Sequence, residues 1–406
     1  MVSRPKVLFA GHTSLDIIPD LSTLTTGYAR FRPGSLIEAK GVRFATGGAV
    51  LNTGLSLHRL GAPVRLLIKL GSDYYGTILK DLIYENVCAA EGMEPQRAHL
   101  IYTEDAAAQT SFTFVLNPPK ADRMFIGCLG VNETFSVDDI RYDHLEGIEM
   151  MHLGYPTLLQ KLYVDGGRHF ANFLRDVQAR GIMTSLDVAM PDLQGKSGQV
   201  DWQSFLATVL PHVDLFMPSI EEMMLMLNGP RFHEIHSHGG DFIESLTGDD
   251  LTALADTLIQ MGVQIVGLKL GNYGLYLRTS SKRKKHFYIA SWQQPLHSQV
   301  WNNRELYAPC FSVEVAGTTG AGDATIAGFL DALLYELSPE MCMVHAVAVG
   351  AFSVEGADSI GGIASSEAVQ DRVLGDWHQS PAGPWARHWE KHGRIYLGPR
   401  DGSSGA

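Results

Sequence analysis

Gly317-Thr318-Thr319-Gly320-Ala321-Gly322-Asp323-Ala324 follows an apolar run at residues 310–315, which reads as a strand, and precedes a stretch with helical periodicity. Ile326, Phe329, Leu330, Leu333 and Leu334 fall at i, i+3, i+4, i+7 and i+8, the stripe of a helix with one face in a core. The glycines therefore sit at that helix's N-terminus, where first-turn N–H groups lack intrahelical acceptors and the dipole is positive. Such an end holds anions, and glycine lets the main chain approach a phosphoryl group closely. Asp323 is the odd member: a carboxylate repels phosphate but suits removing a proton from an attacking hydroxyl. An anion hole beside a general base is what phosphoryl transfer to an alcohol requires. The plainer reading, a shaped loop with Asp323 capping the helix, is equally consistent with this segment alone. The segment lacks the Gly-Lys-Ser/Thr ending of a P-loop and the G-x-G-x-x-G spacing of a dinucleotide fingerprint.

Outward from this segment, short apolar runs at 6–10, 65–70, 150–153, 183–186, 215–217 and 263–270 read as buried strands. Helical periodicity at 163–178 and 251–261 alternates with them, which predicts a doubly wound parallel sheet with ligands beyond the strands' carboxyl ends. Residues 110–116 alternate apolar and polar side chains, Asn117-Pro118-Pro119 turns, and 124–126 resumes a strand, predicting a hairpin lid outside the main sheet. An insertion at 278–307, holding Lys282, Arg283, Lys284 and Lys285, and the tail after Trp377 read as peripheral.

The 406 residues are 45% hydrophobic and 19% charged, ample for one large core. A net charge of -12 argues against wholesale binding to nucleic acid or an anionic membrane, so an anionic ligand must meet local positive potential. Cys88, Cys128, Cys310 and Cys342 are scattered and form no C-x-x-C pair, as expected of reduced thiols. Residues 7–10 are too short for a signal segment, and cytoplasmic location is expected by default. His233, His236 and His238 read as a polar loop without metal-ligand spacing.

A second glycine-rich stretch, Gly47-Gly48-Ala49-Val50-Leu51-Asn52, opens a helix running to Arg59-Leu60-Gly61, ahead of a strand and Gly71-Ser72-Asp73-Tyr74-Tyr75-Gly76. With Thr318 to Asp323 and Ala327-Gly328-Phe329, it resembles the paired signatures of the ribokinase-like (PfkB) carbohydrate kinases, across about residues 5 to 370. The resemblance implies a ribokinase-like three-layer α/β/α sandwich over residues 1–375, lid segments near 12–46 and 98–131, and a separate tail at 376–406. It also implies transfer of a phosphoryl group from ATP, with Mg2+, to a sugar or sugar-acid hydroxyl. Asp323 then matches the base, and the amides of Gly320, Ala321 and Gly322 the anion hole. Asp16, Gly47, Gly48, Asn52 and the lid residue Arg123 match the sugar site. A carboxylate such as Asp16 can accept from two sugar hydroxyls, and an amide such as Asn52 can both donate and accept. Ser219 to Glu222 resemble the family's N-x-x-E with Ser219 in place of the Asn, which puts Glu222 where that motif's acid organises water and Mg2+ around the phosphates; a plain capping box fits the same pair. Lys269, Gly271 and Gly274 match the turn under the nucleotide.

Two other functions fit the same residues: a nucleoside kinase of this fold, and a non-catalytic nucleotide or sugar sensor, against which Asp323 argues because a sensor needs no base. Family members often dimerise through their lids, which makes a homodimer the expected partner. In members that use a monovalent cation an aspartate opens the C-terminal signature; here that position is Gly317.

Overall fold

The apolar runs become neighbours in one sheet. In a computed structural model, which describes residues 6–25, 27–88, 98–119, 121, 123–281 and 300–402, eleven strands pair side by side. Their order is Glu390–His392, Ile395–Leu397, Glu305–Ala308, Leu275–Thr279, Ile265–Lys269, Leu215–Phe216, Met183–Leu186, Met150–Gly154, Val7–Gly11, Val64–Gly71 and Ala98–Asp105. From Ile265–Lys269 to Ala98–Asp105 all pairs are parallel. Parallel strands need helical crossovers, which cover both faces, and every residue of Val64–Gly71 is accordingly buried. Val7 and Phe9 enter one core cluster with helices Ala49–Arg59, Ala321–Leu334 and Pro339–Val354; Leu8 and Ala10 enter the other with Arg168–Ala179, Trp202–Val209 and Gly248–Gln260. That alternation is the two-residue period of a strand between two helical layers. The chain steps from Val7–Gly11 outward to Ala98–Asp105, then returns to Met150–Gly154 on the other side. The reversal leaves a crevice beyond Gly11 and Gly154, which are register partners.

Val42–Gly47, Ser14–Pro19, Phe112–Leu116 and Met124–Cys128 form a second sheet of four strands, separate from the main one. The expected hairpin is present: Phe112 to Leu116 pair antiparallel with Cys128 to Met124. The strand Ala98–Asp105, placed by expectation in a lid segment, instead forms the main sheet's edge beside Val64–Gly71.

Other expectations need correction. Residues 310–315 form no strand; their one sheet contact is a bridge between Phe311 and Gln379. The insertion at 278–307 is not peripheral at its ends, because Leu275–Thr279 and Glu305–Ala308 pair within the sheet, while the Lys282 to Lys285 run lies outside the described residues. The tail is built in as well: Ile395–Leu397 pairs with Glu305–Ala308, and Trp377 stacks on Phe311 at 4.2 Å. The helix expected at 163–178 is two, Gln160–Tyr163 and Arg168–Ala179. They part where Asp165 accepts from the amides of Gly167 (3.0 Å) and His169 (2.8 Å), a local turn that competes with the helix ladder. His233, His236 and His238 lie on the helix Gly229–His238, where His236 packs on Phe232, and among the described residues no group of side chains could hold a metal ion unaided. No helix among them is long and apolar enough to cross a membrane.

Candidate functional site

Parallel pairing brings the chemistry to one rim. Tyr155 follows Met150–Gly154, Asp187 follows Met183–Leu186, Ser219 and Glu222 follow Leu215–Phe216, and Lys269 ends Ile265–Lys269. All four strands point the same way, so these side chains share the crevice side of the sheet.

Asp323 sits in the first turn of Ala321–Leu334 and is only 3% exposed. The Tyr155 hydroxyl donates to its Oδ1 at 2.7 Å and the Asn52 Nδ2 to its Oδ2 at 2.9 Å. Burial raises its pKa, the nearby Asp187 carboxylate adds to the rise, and Lys269, Tyr155 and Asn52 oppose it. A raised carboxylate is a better proton acceptor than a free one, which suits a base. Ala324 N donates to Gly320 O at 2.8 Å, so the helix ladder starts there, with Gly320 capping it in the left-handed region at φ 77°. The Ala321 amide turns back to Thr318 O at 3.4 Å. A methyl at Gly322 would meet the Lys269 side chain at an ordinary 3.5 Å, so protein packing alone does not demand glycine there.

Asp187 is fully buried, and neither carboxylate oxygen has a hydrogen-bond partner among the described residues. Its nearest charges are Lys269 Nζ at 3.8 Å and, when protonated, His152 Nε2 at 3.5 Å. An ionised group left like this is costly, so the arrangement fits a cation or its bound water. Glu222 forms a capping box with Ser219: its carboxylate accepts from Ser219 N at 2.7 Å and its amide donates to Ser219 Oγ at 3.3 Å. Burial lifts its pKa to about 7 against the pull of Lys269. The capping and ligand roles therefore coexist in one carboxylate.

On the lid side, Asp16 lies in Ser14–Pro19, and a side chain at Gly47 would collide with its carboxylate. Gly47 therefore makes room for Asp16 rather than for an approaching ligand. Burial raises Asp16 to about 7, opposed by a Ser14 hydrogen bond, aided by Asp323 and opposed by Arg123. Asn52 spends its amide on Asp323, which leaves its buried Oδ1 as the group without a partner. Gly48 enters Ala49–Arg59 at φ 84°, beside His12, whose ring burial depresses to about 4 and keeps neutral.

Beyond Asp323 a cavity of about 580 Å³ is lined by Lys269, Gly271, Gly274, Thr318, Gly322 and Arg123 on one side. Phe311, Ser312 and Ser380 form another wall, with Ser380 N bonded to Cys310 O at 2.8 Å. Arg123 also donates to Thr319 Oγ1, so it lies against the glycine-rich loop and the cavity rather than in the crevice alone. The geometry thus brings Asp323, Asn52, Asp16 and Glu222 together around the crevice, and Lys269, Gly271, Gly274 and Gly322 around the cavity.

Sequence reasoning missed Tyr155 and Asp187. Asp187 carried a signal, an acid directly after an apolar run read as a parallel strand. Tyr155 carried none, since its left-handed backbone (φ 59°, ψ 49°) is uncommon for a bulky residue.

Residues 177–365 match the model of the pfkB family carbohydrate kinases. A protein of Archaeoglobus fulgidus described as an uncharacterized sugar kinase is 25% identical over 289 residues, 71% of this chain and 90% of that protein. A fructokinase of Solanum tuberosum is 23% identical over 279 residues, 64% of this chain and 80% of its own length. The solved structure of Arabidopsis thaliana ribokinase complexed with ribose and ATP superposes with a TM-score of 0.60 at 20% identity, covering 92% of this chain and all of that one.

Proposed function

We propose that this chain, whose residues 177–365 match the pfkB family carbohydrate kinases, is a sugar kinase of that family and transfers the γ-phosphoryl group of ATP to a hydroxyl of a sugar or sugar acid. The observation that carries this reading is Asp323, a buried carboxylate with raised pKa, held from two sides at a glycine-opened helix N-terminus between crevice and cavity. In this reading Asp323 takes the proton of the acceptor hydroxyl, and the first-turn amides around Gly322 hold the transferred phosphoryl group. Asp16 and the free Asn52 Oδ1 accept from other hydroxyls of the sugar. Lys269 and Arg123 supply positive charge along the phosphates in an otherwise acidic chain. Asp187 and Glu222 are the carboxylates that would hold Mg2+, which would supply neutralisation of phosphate charge. The test is ADP release with pentoses, hexoses, acid sugars and nucleosides as acceptors. Turnover confined to nucleosides selects the nucleoside kinase, and ATP binding without turnover on any acceptor selects the sensor.

Asp16 lies on a strand of the smaller sheet and Asp323 on a helix packed against the main one, so in this reading the smaller sheet acts as a lid whose position governs catalysis. Sugar binding is expected to slow amide exchange across Phe112–Leu116 and Met124–Cys128, because closure excludes water from the transfer site. Unchanged exchange with a sugar that turns over removes the lid assignment.

The local residues do not fit a monovalent cation. Gly317 offers no carboxylate, and the acids that could replace one are engaged: Glu355 with Arg372 at 2.6 and 2.9 Å, and Asp358 with Arg43 at 3.3 Å. The Ala357 carbonyl, near Gly317, accepts from Arg43 Nη2 at 2.8 Å. A hard cation would have to displace the Arg43 guanidinium to reach either the Asp358 carboxylate or the Ala357 carbonyl. Potassium titrated at constant ionic strength is therefore expected to leave the rate nearly flat, and a many-fold saturable activation overturns this reading.

A further inference from the structure

Tyr155 has both a left-handed backbone and a hydroxyl bonded to the Asp323 carboxylate. Its φ of 59° and ψ of 49° place a bulky residue in the left-handed region, a conformation held only where the surroundings impose it. The turn stops Met150–Gly154 and starts a short 3-10 turn at Pro156–Leu158, with Leu158 N bonded to Tyr155 O at 3.0 Å. The ring lies near His12, centroids 5.8 Å apart, and the hydroxyl ends 2.7 Å from Asp323 Oδ1. The contact spans 168 residues of sequence, so it joins the crevice's strand end to the helix that carries the base. Asn52, from a third element, reaches the other oxygen at 2.9 Å.

We propose that Tyr155 is a positioning residue for the base: its hydroxyl and the Asn52 amide clamp the two Asp323 oxygens, fix the plane of the carboxylate and aim a remaining lone pair at the acceptor hydroxyl. A carboxylate oxygen has two acceptor positions, so one donor on each leaves room for the substrate's proton. Tyr155 gives up no proton in the reaction. Asp323 takes the acceptor's proton as the new O–P bond forms, the bond from phosphorus to the ADP oxygen breaks, and Asp323 later releases the proton to water. Burial and the neighbouring Asp323, Asp187 and Glu222 charges hold the Tyr155 phenol well above its ordinary value, so it remains a donor at every working pH. Its hydrogen bond favours the ionised carboxylate, against burial and Asp187, which favour the protonated one.

This proposal rests on the reading of Asp323 as base, and the experiment separates the two. Tyr155→Phe is expected to lower kcat about ten- to a hundredfold at neutral pH, the value of one hydrogen bond to a charged group, with KM for ATP unchanged. Losing the donor raises the Asp323 pKa further, so the acid limb of the kcat profile moves to higher pH. In the Asp323→Asn background the same change is expected to cost nothing more, because the clamped group is gone. Installing 3,5-difluorotyrosine at position 155 keeps the ring and strengthens the donor, so the acid limb moves to lower pH; this arm decides if the phenylalanine variant does not fold. Unmoved limbs, or a further loss in the Asp323→Asn background, overturn the clamp and leave the base in place. Near-wild-type turnover of Asp323→Asn overturns both.

Discussion

Replacing Asp323 by asparagine is expected to lower kcat about 10²- to 10⁴-fold, the usual contribution of a general base, while ATP binding survives. The substitution preserves shape, and Asp323 does not line the 580 Å³ cavity, so the nucleotide's contacts are untouched. The asparagine amide can keep both contacts in one orientation, its carbonyl accepting from the Asn52 Nδ2 and its NH2 donating to the Tyr155 hydroxyl, which then acts as acceptor. Stability is expected to move the other way. A carboxylate whose folded pKa lies above its unfolded value costs the fold as pH rises from the ordinary carboxylate range through the raised value. At neutral pH the wild type bears that cost and the amide does not. Unfolding of Asp323→Asn should therefore come at the same or a higher denaturant concentration, a trade of stability for activity at a functional site. Steady-state kinetics with ADP release, nucleotide affinity by calorimetry and urea unfolding read the three terms separately. Retained turnover removes Asp323 from the mechanism.

How much of this was legible in the sequence depended on whether the signal was local. Strands at 6–10, 150–153 and 183–186 announced themselves because parallel strands are buried on both faces and read as unbroken apolar runs. The stripe from Ile326 to Leu334 placed the helix, yet that helix is buried nearly all round, and Asp331 on it bonds His345 at 3.0 Å and Ser366 at 2.7 Å. A helical period reports one apolar face and cannot report a polar group satisfied by a later helix. Residues 310–315 have the composition of a strand but no open neighbour, since Glu305–Ala308 is already paired on both sides, so they turn into a cavity wall. Asp323, Asp16 and Asn52 could be named because they lie in or near glycine-rich signatures; their mutual contacts could not, because Asn52 and Asp323 are 271 residues apart. The tail was misread for a related reason. Pro, Gly and Ser predict turns, and what those turns carry back to the sheet is decided by long-range partners.

Arg304→Ala is expected to destabilise the protein by about 3–5 kcal/mol, the cost of removing one member from a buried charge cluster. The guanidinium is 5% exposed and Asp401 fully buried, with Arg304 Nε donating to Asp401 Oδ1 at 2.7 Å. Arg304 Nη2 also pairs with Glu340 Oε1 at 2.5 Å, and Nη1 donates to Val300 O at 2.9 Å. Burial pulls the guanidinium down, but Asp401 and Glu340 outweigh it and hold it above its ordinary value. Removing it takes the Arg304 guanidinium away from both Asp401 and Glu340. The next residue extends the same network: Glu305, fully buried, accepts from Tyr276 at 2.8 Å, Thr252 at 2.9 Å and Arg400 N at 2.7 Å, while its amide donates to Asp401 at 3.0 Å. Residues 398–402 are thus fastened to Glu305 and its neighbours by this charge network together with the backbone bonds Gly398 N to Glu305 O and Gly402 N to Asn303 O, both at 2.8 Å. A second consequence separates this from simple surface pairing. Salt screens exposed ion pairs within about 10 Å at 0.1 M but leaves buried ones largely intact, so the loss in Arg304→Ala should persist at high ionic strength. The site lies elsewhere on the sheet, so kcat of the folded fraction should match the wild type below the transition. Urea unfolding at low and high salt reads the first expectation and initial rates read the second. A loss below about 1 kcal/mol, the range of exposed pairs, would mean that the C-terminal segment is not held by this cluster.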